Sequence, residues 1–198
     1  MLDRLYEESL DDVASAQRIL SRLEPMVANE IRFSTSLSDG KCPPADQWDA
    51  VASVDLFPSI VAPHAVLDEM VAGGGMSAIR DPGLREAIQA YRSDLDFAAR
   101  QNEFFRSKHE TLLRSGDPRM TLRFDQAKSE SVTPAFDTAG LCADHGFRNA
   151  MINATRDQLV LLTMRKRNAA RARAMCTALA RATGNRCAPS PAPPRPSS

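Results

Sequence analysis

The sequence predicts an all-α protein, a bundle of three long helices with two short helices in the first connection. Three observations lead there. Apolar residues recur at alternating steps of three and four in three separate stretches, the spacing that lines one face of a helix. Aromatic residues are scarce, with one Trp, two Tyr and eight Phe in 198 residues, a composition poorly suited to a sandwich or barrel. Helix stop and start signals bracket the stretches: Ser38-Asp39-Gly40, Asp81-Pro82 and Gly184.

The first helix is expected over Leu2–Ser38, with Tyr6, Leu10, Val13, Ala16, Leu20, Leu23, Val27 and Ile31 along one face. Pro25 lacks a backbone N–H and predicts a kink near Ser21. Two short helices follow between Lys41 and Arg80. In ADQWDAVAS, after Pro43-Pro44, Trp48, Val51 and Ala52 share a face. In PHAVLDEMVA, beyond Pro58, Pro63 suits the first helical position and Gly73 the C-terminal cap. Gly73-Gly74-Gly75 reads as a flexible joint.

Asp81 as N-cap and Pro82 at the first position open the second long helix. Its seam is Leu84, Ile88, Tyr91, Leu95, Ala98, Asn102, Phe105, His109 and Leu112, with a stop at Ser115-Gly116-Asp117-Pro118. On this reading Leu95→Asp costs more than ~3 kcal/mol, because it buries a carboxylate. Asp94→Ala, off the seam, is expected to cost less than about 0.5 kcal/mol. Met120–Ala143 is the least regular stretch, with Ser/Thr-rich turns, Pro134 and one helical turn at TAGLCA. The last long helix runs from His145 to Thr183 with seam Phe147, Met151, Ala154, Gln158, Leu161, Arg165, Asn168, Ala172, Met175 and Leu179. The three long helices reach about 50–58 Å, matched lengths that suit a bundle. Residues 1–187 fit a single helical domain, and the proline-rich 188–198 a disordered tail.

The net charge is zero, but its distribution is uneven. Met1–Glu24 holds six acids against three arginines, and Gly146–Ser198 holds one acid against ten basic residues. The longest purely apolar run is Leu159–Leu162, far short of the ~18 residues of a spanning helix. The acidic start MLDRLYEESLDD is unlike a signal peptide. By its own signals the chain is expected to be neither exported nor membrane-inserted.

No assembled catalytic constellation, phosphate loop or paired metal-ligand motif is present, and neither catalysis nor a cofactor is expected. Cys142-Ala-Asp-His145 carries half a zinc ligand set, and Cys42 could add a third ligand, which leaves a metal-dependent enzyme as one alternative. The four cysteines otherwise read as buried free thiols in a reducing compartment or as two disulfides in an oxidising one. Geometry favours a bridge between Cys176 and Cys187. A glycine cap at Gly184 reverses the chain, and three extended residues cover the ~10 Å back along the helix. The second bridge is then Cys42–Cys142, closing a loop worth roughly 4–5 kcal/mol on the chain-entropy account.

His64 and Asp68 lie four apart on a short helix, and His109 with Asn102 lies on a seam; both patterns occur in ordinary packing. The basic run Arg165, Lys166, Arg167, Arg171 and Arg173 makes a cytoplasmic nucleic-acid-associated protein the leading alternative, ahead of the metal-dependent enzyme. No aromatic residue interleaves it and the whole chain is neutral, so an ion-paired helix face is the better reading and nucleic acid is disfavoured as a partner.

Several stretches together, LYEESLDDV, CPPADQWDAVASVDLFP, VAGGGMSAIRDPGLREAI, LCADHGFRNAM and MCTALARATGNRC, resemble an uncharacterised family of small bacterial proteins. Its members carry one N-terminal membrane-spanning helix followed by a helical extracytoplasmic domain. The resemblance implies that the cysteines sit outside the cytoplasm, in the periplasm, and implies no enzymatic activity. This chain begins at LDRLYEESL, where the membrane helix would end, so a membrane anchor requires an upstream segment. A chain truly starting at Met1 would stay cytoplasmic. The expected function is therefore a structural or sensory extracytoplasmic helical module, with a homo-oligomer through the helices as the partner its amphipathic faces allow.

The Cys42–Cys142 bridge would set the first and last helices antiparallel, with Ser38 opposite His145. That register places Glu7, Glu8, Asp11 and Asp12 against Arg171 and Arg173, and salt bridges between the two sets are expected.

Overall fold

The computed structural model describes residues 1–56, 64–108, 112, 116–125 and 131–188. Pro58, Pro63, His109, Ser115 and the tail beyond Ala188 lie outside them. Among the described residues there are six α-helices and one two-stranded sheet: α1 Leu2–Ser38, α2 Asp49–Ser53, α3 Ala65–Ala72, α4 Pro82–Lys108, β1 Met120–Asp125, β2 Ser131–Phe136, α5 Thr138–Ala143 and α6 His145–Thr183. The fold is all-α; α1 and α6 have the expected bounds, whereas α4 starts as expected at Pro82 but is helical only to Lys108, and Leu112, placed on its seam by the sequence, lies in a bend outside it.

Local chemistry fixes the helix ends. At α4, Asp81 Oδ1 accepts from the N–H groups of Gly83 (2.8 Å) and Leu84 (3.3 Å). At α6, Asp144 Oδ1 accepts from Gly146 (2.7 Å) and Phe147 (3.3 Å). Each carboxylate satisfies amides that no helical carbonyl can reach. At the other end of α6, Gly184 takes φ +74°, and Asn185 N donates to Ala180 O at 2.7 Å. This is the reversal that glycine permits without steric penalty. Gly40 closes α1 in the same way.

The chain groups into two compact units. One comprises Met1–Arg22, Ser59–Phe104 and Leu162–Ser198; the other comprises Leu23–Pro58 and Phe105–Leu161. In the first, Leu5, Tyr6 and Val13 of α1 pack with Leu67 and Met70 of α3, Leu84, Ile88 and Tyr91 of α4, and Ala172, Met175 and Leu179 of α6. Cys176 and Cys187 are bonded there, their Cα atoms 5.6 Å apart, and the Tyr6 hydroxyl donates to Arg186 O at 2.8 Å. The second unit centres on Trp48. Phe33 meets it edge-on at 5.1 Å, Phe147 stacks at 6.3 Å, and Phe136 lies at 5.5 Å. Cys42 and Cys142 are bonded there with Cα atoms 5.4 Å apart. Ser34 and Thr155 share a hydrogen bond of 2.8 Å, and Arg148 donates to Leu37 O at 2.6 Å. Those two contacts make α1 and α6 antiparallel within this unit.

All ten seam positions of α6 are buried. On α4 the seam holds from Leu84 to Phe105, with Leu95 half-buried. On α1 it drifts. Ile31 is 40 % exposed, while Phe33 and Leu37 are buried. A strict seven-residue repeat rotates by about 20° per heptad relative to a straight helix, so the buried face has moved on after four heptads. The hairpin β1–β2 was not foreseen. It pairs Met120 with Phe136 and Asp125 with Ser131, and Pro134 sits opposite Leu122. A two-stranded sheet is all edge, so a residue without an N–H is tolerated there.

Candidate functional site

The expected salt bridges are corrected by the structure. Among the described residues no ion pair joins Glu7, Glu8, Asp11 or Asp12 to Arg171 or Arg173. Asp94 of α4 instead takes the basic stripe. Arg167 holds both of its oxygens and Arg171 Nε lies 3.1 Å from Oδ2. Asp94, expected off the buried seam, is itself buried at 5 % exposure. An arginine fork matches the two oxygens of one carboxylate, and the face of α6 bearing positions 167 and 171 meets α4 rather than α1. The acids of α1 have other tasks. Glu8 accepts from the N–H groups of Val66 (2.8 Å) and Leu67 (3.0 Å), capping α3 from outside its own helix. Arg173, Glu7 and Asp11 are exposed.

Asp12 is buried, and its Oδ1 lies 3.3 Å from His64 Nδ1. His64 was paired in the sequence with Asp68, four residues on, but Asp68 holds Arg92. Burial works against a charge on His64, yet Asp12, Glu8 and Asp68 outweigh it and raise the imidazole above its ordinary value. Tyr91 meets the His64 ring edge-on at 5.8 Å. Burial, and then the Asp12 charge, push its phenol far up, so the hydroxyl stays protonated.

These groups line a cavity of about 40 Å³ in the first unit, together with Ser15, Arg165 and Asn168. Arg165 is 5 % exposed, and burial lowers its guanidinium to about 10, still charged at neutral pH. Two buried atoms on the wall, Asp12 Oδ2 and Asn168 Nδ2, have no hydrogen-bond partner among the described residues. The wall thus offers a lone acceptor and a lone donor, flanked by one carboxylate and one guanidinium. The sequence hint was present in Arg165 and Asn168, polar residues three apart on a buried seam. Asp12 gave no such hint, because it reads as one more acid on a charged surface.

Cys142 bonds Cys42, so it is no thiolate ligand while that bridge is intact, and His145 is exposed at the start of α6. Among the described residues no three His, Cys, Asp or Glu side chains converge as a metal site. The Gly73–Gly75 joint contains the left-handed Gly74 and leads into a short 3-10 turn, Gly75–Ala78. No described helix is long and apolar enough to cross a membrane. No protein-family model matches this chain, and neither does any curated protein or solved structure.

Proposed function

We propose that the chain is a structural or sensory helical module that works outside the cytoplasm, in the periplasm. The supporting observation is that all four cysteines are spent in two disulfides. Such bonds persist in oxidising compartments and are rare where glutathione and thioredoxin keep thiols reduced. Each bridge also sits where it restrains the fold. Cys42–Cys142 joins the segment after α1 to α5, and Cys176–Cys187 ties the last turns of α6 to the chain beyond Gly184.

The nucleic-acid reading has less support. Arg165 is buried, and Arg167 and Arg171 are held by Asp94, which leaves few free cations in the run to track phosphates. The compartment is tested in the cells that make the protein. Acid-quenched cells treated with a maleimide–polyethylene glycol should show four oxidised cysteines, and protease added to spheroplasts should degrade the chain. Reduced thiols together with protection from protease would overturn the reading.

A further inference from the structure

We propose that the cavity lined by Asp12, His64, Tyr91, Arg165 and Asn168 binds a small neutral molecule bearing a primary carboxamide, the class of urea and the short aliphatic amides. The inference gives the sensory reading above a ligand class and rests on it.

The hydrogen-bond pattern selects the group. Asp12 Oδ2 is a buried acceptor lacking a donor, and Asn168 Nδ2 is a buried donor lacking an acceptor. The Asp12 side chain is 4 % exposed and Asn168 is 8 % exposed, so bulk water does not readily serve either atom. A primary carboxamide carries an NH2 beside a carbonyl and meets both needs with one functional group. Tyr91 and Ser15 line the same space.

Charge points the same way. A carboxylate and a guanidinium border a single small volume. An anion there would be set against Asp12, and a cation against Arg165 and the His64 imidazole, like charges that repel more strongly away from water than in it. A neutral dipole meets neither penalty. It lies with its carbonyl toward Asn168 and its NH2 toward Asp12. Size agrees as well, since about 40 Å³ holds roughly three water-sized atoms, the count of a carboxamide head. Ile19 and Leu95 complete the wall with apolar surface suited to a short alkyl group.

The test titrates the ¹⁵N-labelled, oxidised full chain with propionamide, propionate and propylammonium, three probes of similar size and different charge. The reporter is the Asn168 side-chain amide signal, identified by its loss in Asn168→Leu. Propionamide should shift it saturably and bind at least tenfold tighter than either ion. Asn168→Leu should weaken propionamide tenfold or more. If that variant does not fold, Asp12→Asn serves in its place, because removing the negative wall should improve propionate binding about tenfold. Equal or non-saturating responses to the three probes, tightest binding by either ion, or an Asn168 amide whose sole partner is an ordered water would overturn the proposal. The measurement is made on purified protein, so its failure is distinct from a failure of the compartment test in cells.

Discussion

Glu30 should make this protein less stable as pH rises from about 4.5 to about 7, the reverse of the usual behaviour of a carboxylate. Its side chain lies in α1 with no exposed surface. Ser53 Oγ donates to Oε1 at 2.8 Å, and Oε2 has no hydrogen-bond partner among the described residues. Burial, against the favourable Ser53 bond and with the added charge of Asp55, pushes its carboxyl up from 4.5 to about 7. In the unfolded chain the group ionises near 4.5. Between those values the native state binds more protons than the unfolded state, so stability falls with pH, and the penalty is complete above about 7. At 1.36 kcal/mol per pH unit the full penalty is about 3 kcal/mol. Glu30→Gln keeps the acceptor for Ser53 and carries no charge at any pH. Urea unfolding of the oxidised protein from about pH 4 to 8 should show the variant and the wild type converging near pH 4. They should separate by up to about 3 kcal/mol at pH 8, with the variant more stable and m unchanged. A variant that tracks the wild type in parallel across that range, or that is less stable at pH 8, would refute the reasoning.

Asp94→Ala should cost about 1–3 kcal/mol. Removing one partner of a buried pair costs about 3–5 kcal/mol, and here the two arginines are 61 % and 48 % exposed and can turn to solvent. A urea midpoint within error of the wild type would show that the three-residue pair does not hold α4 to α6. Gly184→Ala should cost about 1–2 kcal/mol, because an alanine resists φ +74° and no neighbouring atom lies within 4 Å to add a steric contribution. An unchanged thermal midpoint would mean the left-handed cap is not maintained in solution.

The long helices were legible because each buries one continuous stripe, and a stripe of period 3.6 is visible in the residue order. Caps at Asp81, Gly40 and Gly184 were legible for a related reason: each depends on a few consecutive residues. The pairing of Cys176 with Cys187 followed from helix rise and a glycine turn. What failed depended on a third element. The orientation of α1 against α6 was foreseen, yet the choice of Asp94 over the α1 acids turns on which side of α6 faces α4, a rotation that no local pattern records. The hairpin failed differently. Met120, Leu122 and Phe124 do alternate with polar residues, a strand signal the helical reading passed over, but Leu122 and Phe124 are exposed and Pro134 interrupts the partner strand, so burial does not mark the pair. The cavity was half legible. Arg165 and Asn168 stood on a seam where apolar residues were expected, while Asp12 and His64 meet only through the packing of α3 on α1.

The bridge between Cys42 and Cys142, with a sequence separation of 100, also shapes the chain when it is not folded. An oxidised molecule in urea is a closed ring with two tails, one of them carrying a second small loop at Cys176–Cys187. A ring of that size cannot spread as far as an open coil, so it exposes less surface on denaturation. Its m-value and heat-capacity change should therefore be smaller than those of the reduced chain, even if the native packing is the same in both. Equal midpoints for the two redox forms would then correspond to unequal free energies, and the state of two sulfur pairs sets the scale on which every other substitution is read.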